Sequence, residues 1–219
     1  SDCSAVELGW QVAKLYQGAR GLTNGIYALY FDGTDKACPD ILQSKGDFVD
    51  PLTRQAIEDT ISLVGSRHIT LAGMDLRHLE DLANMNLEGA NFNETRLDGI
   101  NFSGANLKGA KFDSAMIRGA MLEKAELQGA NLFKADLRKA DLSGAFLQKA
   151  YLGSANLQDA IFHEADLTEA NLQFADMRGA DLREAIVTSI DLKGVRYDEH
   201  TIWPEKLDPR LVGAVYARR

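Results

Sequence analysis

Residues 104–142 read "GANLKGAKFDSAMIRGAMLEKAELQGANLFKADLRKADL", with an apolar residue at every fifth position: Leu107, Phe112, Ile117, Leu122, Leu127, Leu132, Leu137 and Leu142. Residues five apart on an α-helix drift by roughly 140°, so these side chains would circle the cylinder. A flat strand alternates faces at every residue, and an odd period sends successive leucines to opposite sides. Neither regular element accommodates the pattern.

In one register the repeat runs for 22 units, with centres from Leu87 to Leu192. The centres are 15 Leu, 4 Phe, Ile117, Met177 and Val187. Two residues earlier, 18 of the 22 positions are alanine, unbroken from Ala105 to Ala185. The residue between is most often Asn or Asp, and glycine recurs two residues after the centre. A coil of short extended sides joined by corners satisfies all of this. The alanine and the centre point inward as i and i+2 of a strand, the residue between points out, and glycine serves corners where φ is positive. Four corners close a square, so each residue is expected above the one 20 earlier, at about 4.8 Å per coil.

Units such as "GANLKGAKF", "KADLRKADL" and "EADLTEANL" resemble the pentapeptide-repeat family. The resemblance implies an all-β solenoid, a right-handed quadrilateral β-helix with four repeats per coil, here five to six coils. The tail "TIWPEKLDPRLVGAVYARR" is similar to those of cyanobacterial members. Family membership implies little about activity.

The spacing slips near Leu79, because Leu71 and Leu76 are five apart and Leu82 follows six later. At the far end Tyr197 and Ile202 keep the period before Pro204 and Pro209 stop it. The expected organisation is an N-terminal helical capping domain over 1–68, the solenoid over 69–202, and a C-terminal cap over 203–219. Ends need covering because stacked coils leave unpaired backbone. A short helix is expected from about 208 to 215, with Asp208 as N-cap before Pro209. In the N-terminal domain, "SAVELGWQVAKLYQGAR" and "DPLTRQAIEDTISLVG" both read as helices, the second with an Asp-Pro start and a glycine stop.

The 219 residues are 45% hydrophobic and carry a net charge of −8. Residues 1–70 contribute −3, 71–195 contribute −6 and 196–219 contribute +1, so no segment is a basic arm. Direct nucleic-acid binding is therefore disfavoured. No apolar run approaches the roughly 18 residues of a membrane span. The start at Ser1 rather than methionine is compatible with removal of an upstream segment.

Cys3 and Cys38 are the only cysteines. They form a candidate disulfide worth roughly 3 to 4 kcal/mol in an oxidising compartment, and in a cytosol they are two buried thiols. The expected location is periplasm or thylakoid lumen in the first case and cytoplasm in the second. No hydrolase, nucleotide-binding, metalloprotease or dinucleotide signature occurs. "YFDGTDKA" reads as an Asp-Gly turn, and the four histidines are scattered. Neither enzymatic activity nor a cofactor or metal is expected.

One set of residues departs from the pattern. Met116, Met121, Phe146, Tyr151, Ile161 and Ile186 replace Asn or Asp at outward positions, and Phe133 and Phe174 occupy corner-side positions. In columns, Phe133, Tyr151 and Phe174 share one face over three coils with Phe146 at its border. They form a candidate partner patch; the alternative is that Phe133 merely lies over Gly153. The leading reading is a non-enzymatic, rigid protein-interaction scaffold, expected to be monomeric, whose partner is not written in the sequence. The alternative implied by the resemblance is a DNA mimic that binds type II topoisomerase. Arg118, Arg138 and Arg178 stack beside the acids and blunt that mimicry.

Overall fold

The structure is a computed structural model that describes residues 30–31 and 52–218. Its body is a ladder of parallel bridges, each side of the coil contributing one outward residue. From Asp81 to Arg196 the partners are 20 residues apart, as in Asn86↔Asn106, Asn131↔Tyr151 and Asp176↔Arg196. A bridge every fifth residue with a coil period of 20 makes four sides. Every interior position of the middle coils is sealed, from Ala105 and Leu107 to Ala180 and Leu182. Phenylalanine fills the first coils: Phe92 and Phe112 stack at 4.9 Å with Phe102 edge-on between them.

The corners are one turn type throughout. The N–H two residues before each centre bonds back to the preceding centre's carbonyl, as Ala120 N to Ile117 O and Ala140 N to Leu137 O. All 22 residues two after a centre have φ between 55° and 76°. Positive φ at the third turn residue alone is the type II signature. Only nine of these residues are glycine; the other 13 include Lys124, Lys139, Ser154, Glu169 and Phe174. Glycine is thus the unstrained choice at this corner and not a requirement.

Asn and Asp precede the centres for a local reason. Their side-chain oxygen accepts the N–H two residues on, as Asn131 Oδ1 from Phe133 N (3.1 Å) and Asp141 Oδ1 from Ser143 N (2.9 Å). This Asx turn pairs an N–H that the ladder leaves over.

Both register slips are resolved. Thr70↔Asn91 and Asp75↔Arg96 are 21 apart, whereas Asp81↔Asn101 is 20 apart, which places the extra residue by Leu79 as expected. The C-terminal end differs from expectation. Asp181 pairs with Ile202, 21 residues on, so Ile202 points outward at 43% exposure and Trp203 packs against the core instead. Buried Asp198 causes the slip: its carboxylate accepts Gly179 N (2.9 Å) and His200 N (3.1 Å), replacing a backbone acceptor and widening the corner.

The tail also corrects the sequence reading. In place of a helix over 208–215 there is one 3₁₀ turn, Pro209–Val212, with Asp208 as N-cap accepting Arg210 N. Gly213 then turns left-handed, and β4 (Val215–Tyr216) pairs in parallel with β3 (Arg196–Tyr197). The tail adds a partial coil and leaves Leu211, Val212, Val215 and Tyr216 exposed. Two prolines and a glycine within ten residues favour turns over a helix.

At the other end, α1 (Arg54–Val64) starts later than the Asp-Pro reading. Thr53 Oγ1 caps it by accepting Ala56 N at 3.2 Å. Leu52, Ala56 and Ile57 join the solenoid core, and Ile61 packs against it. β1 (Tyr30–Phe31) pairs antiparallel with β2 (Ile69–Thr70), so the segment ahead of the solenoid contains strand as well as helix. The expected helix near residues 4–20 and the pair Cys3 and Cys38 lie outside the described residues.

Candidate functional site

The stack brings Phe133 and Tyr151 together. Their rings lie 5.4 Å apart at an interplanar angle of 13°. Tyr151 starts from an outward position one coil above Asn131 and folds across Gly153, where an added Cβ would meet its ring at 3.0 Å. The bare glycine beneath Phe133's column therefore houses the tyrosine ring. Lys134 Nζ stands 5.0 Å from the Phe133 centroid, a cation–π arrangement.

Phe174 shares the face but not the stack. It is 60% exposed and lies against Gly194, where an added Cβ would come within 2.6 Å of its ring. Phe146 stands on the neighbouring face at 42% exposure, between Glu126 and Asp166 in its ladder. The four residues thus form a stacked pair with two outlying rings.

Phe146 also occupies a place where an acceptor would be useful. Gln148, Gln158 and Gln173 each donate to an aspartate 18 residues on, Asp166, Asp176 and Asp191, at 2.6, 3.2 and 2.6 Å. Gln128's equivalent neighbour is Phe146, whose side chain offers the amide nitrogen no acceptor. Phe146 and Tyr151 also forgo the Asx turn of their coils.

The next face carries arginine. Asp75, Asp136 and Asp176 each hold two guanidiniums, one from two residues on and one from an adjacent coil. Arg138 grips Asp136 in a fork, 2.8 Å to each oxygen, and Arg118 adds a 2.7 Å bond. Burial works against the charge on Asp136, yet the Arg138 and Arg118 bonds outweigh it and hold the pKa below the ordinary carboxylate value. Asp176 behaves alike: burial opposes ionisation and the Arg178 fork wins. At exposed Asp75 the Arg77 side-chain bond dominates and lowers the pKa to about 2. Outside this face, His163 sits beside Glu164 and Glu184, a grouping that a residue-by-residue reading of scattered histidines misses.

The family model for pentapeptide repeats matches residues 86–122, 112–148 and 147–183. The repeats over residues 86–183 are those of the pentapeptide-repeat family. Among solved structures, it is similar to HetL, a pentapeptide repeat protein involved in heterocyst differentiation regulation from Nostoc sp. strain PCC 7120. The identity is 27%, over 61% of this chain and 69% of that one, with a TM-score of 0.29. A pentapeptide repeat protein of the Arabidopsis thaliana thylakoid lumen is 24% identical over 53% of this chain and 68% of that one, with a TM-score of 0.37. QnrB1, a plasmid-mediated fluoroquinolone resistance protein, is 20% identical over 68% and 89%, with a TM-score of 0.34. No curated protein sequence matches. Pentapeptide-repeat proteins are in general structural or interaction proteins, and their fold is a right-handed β-helix.

Proposed function

We propose that this pentapeptide-repeat protein is a non-enzymatic scaffold that docks a protein partner on the face bearing Phe133, Tyr151 and Phe174, with Phe146 at its edge. The observation that carries the reading is the stacked Phe133–Tyr151 pair. It places aromatic surface on a rigid lattice, with Tyr151 at a position where the repeat otherwise gains a hydrogen bond from Asn or Asp. Aromatic rings fixed in place lose little entropy on binding and are the usual anchors of interfaces.

The competing reading, a duplex mimic acting on type II topoisomerase, requires unbroken columns of unpaired acid. Here Asp136 and Asp176 are each bound by two arginines, and Asn156 lies between them in the ladder.

The test compares two variants in crosslinking capture from the native organism and in a gyrase supercoiling assay. Replacing Phe133, Tyr151 and Phe174 together by Ser is expected to abolish capture with the fold intact. Replacing Glu123 and Asp141 by Lys is expected to leave capture unchanged and gyrase unaffected. Loss of binding only in the charge variant, with inhibition of gyrase by the wild type, would establish the mimic instead.

A further inference from the structure

The like-charge spacing of the solenoid is broken at one place. In the columns, Asp136 and Asp176 are separated by Asn156, and Asp141 and Asp181 by Ile161. Through the 20-residue register, Glu164 and Glu184 are the single pair of acids stacked directly on successive coils. Both stand at left-handed corner positions, with φ of 57° and 60°. Two carboxylates about 5 Å apart repel, and screening is weak at that distance.

Their side chains nevertheless converge, together with the one histidine of the 22-unit repeat. His163 Nε2 lies 3.6 Å from Glu184 Oε1, and one ligand atom from each of His163, Glu164 and Glu184 lies within 4.8 Å of the others. Among the described residues this is the one such group of three or more potential ligands. No lysine or arginine among the described residues forms an ion pair with either glutamate. Arg183, the nearest in sequence, is turned to Asp181 with contacts of 2.6 and 3.0 Å.

We propose that His163, Glu164 and Glu184 form a binding site for a divalent transition-metal ion of the zinc class. The imidazole decides the class, since calcium and magnesium take oxygen ligands whereas zinc accepts nitrogen and carboxylate together. Donors about 2.1 Å from a tetrahedral zinc lie roughly 3.4 Å apart, close to the His163–Glu184 spacing. Three protein ligands leave a fourth position for water or a partner's side chain. An ion there relieves the glutamate repulsion and ties two successive coils together. The proposal is independent of the aromatic face.

The test is calorimetric titration of the full chain with zinc chloride and with magnesium chloride, in a Cys3→Ser/Cys38→Ser background that removes thiolate competition. Saturable zinc binding that magnesium does not reproduce is expected, with one equivalent lost in His163→Ala and binding weakened in Glu164→Gln and Glu184→Gln. Circular dichroism checks that these surface variants remain folded. Unchanged zinc stoichiometry in His163→Ala overturns the site, and so does zinc binding no tighter than that of magnesium.

Discussion

The ring of Tyr151 lies nearly parallel to that of Phe133, 5.4 Å away, over a position where Gly153 supplies no side chain. A methyl group at 153 would meet the tyrosine ring at 3.0 to 3.1 Å, tighter than normal packing allows. Gly153→Ala should therefore swing Tyr151 off Phe133 without disturbing the buried core. A small loss of stability, at most about 1 kcal/mol, is expected together with weaker partner binding. Crosslinking yield beside a thermal melt checks it, and unchanged binding would detach the stack from function.

Backbone strain can be isolated at Gly119. Its φ is 61°, and nothing lies within 4 Å of where its Cβ would stand. Gly119→Ala thus adds no clash, only the left-handed conformation of an L-residue, and should cost about 1 kcal/mol in chemical denaturation. Thirteen corners already carry that strain, so the variant should fold. A neutral result would mean that the stacked coils impose the corner at no cost to the side chain.

Leu137 is fully buried in the column between Ile117 and Leu157. Leu137→Asp places a carboxylate in a dry interior whose other groups are apolar, and it should lose about 4 kcal/mol or more. Leu137→Ala should lose about 2 to 5 kcal/mol, because neighbours locked in a ladder cannot collapse into the space. Equilibrium unfolding measures both. An aspartate variant within a degree or two of wild type would show that the interior register is wrong.

The solenoid was legible because each inward position repeats the same steric demand: Ala105 through Ala185 have no room and Leu107 through Leu182 must fill it. The slip at Leu79 was legible for the same reason, as an interruption in apolar spacing. The slip at the far end was not. Asp198 does there with a side chain what a carbonyl does elsewhere, and Ile202 imitates the lost period. Pairing across coils was legible as columns but not as chemistry. Asp136 and Arg138 read as neighbours, whereas the fork that neutralises the aspartate, and the reach of Arg118 from the coil below, depend on rotamers. Likewise Phe133, Tyr151 and Phe174 shared a face by counting, but whether rings touch depends on Gly153 and Gly194.

Cys3 and Cys38 carry the location proposal. A bridge between them places the protein in an oxidising compartment such as periplasm or thylakoid lumen; free thiols place it in the cytoplasm. Intact-mass measurement of alkylated, unreduced protein from its native source is expected to show the two-hydrogen deficit of a disulfide. Alkylation at both cysteines would withdraw the oxidising location.

The arginine face gives the acid limb of stability. Asp136 and Asp176 have folded pKa values below the ordinary carboxylate value; burial opposes the charge, and the hydrogen bonds from Arg138, Arg118 and Arg178 overcome it. A lowered folded pKa means that the unfolded chain binds more protons at acid pH, so protonation favours unfolding. The stabilisation is complete above the unfolded value of about 3.9 and is lost as pH falls through the folded value. Melting temperature should thus be flat from neutrality to about pH 5 and fall below pH 4. In Asp136→Asn/Asp176→Asn the acid limb should be shallower and the plateau lower, because the arginines lose the carboxylates that they grip. Urea melts from pH 2.5 to 7 measure the difference, and parallel acid limbs in the two proteins would assign the pH dependence to other carboxylates.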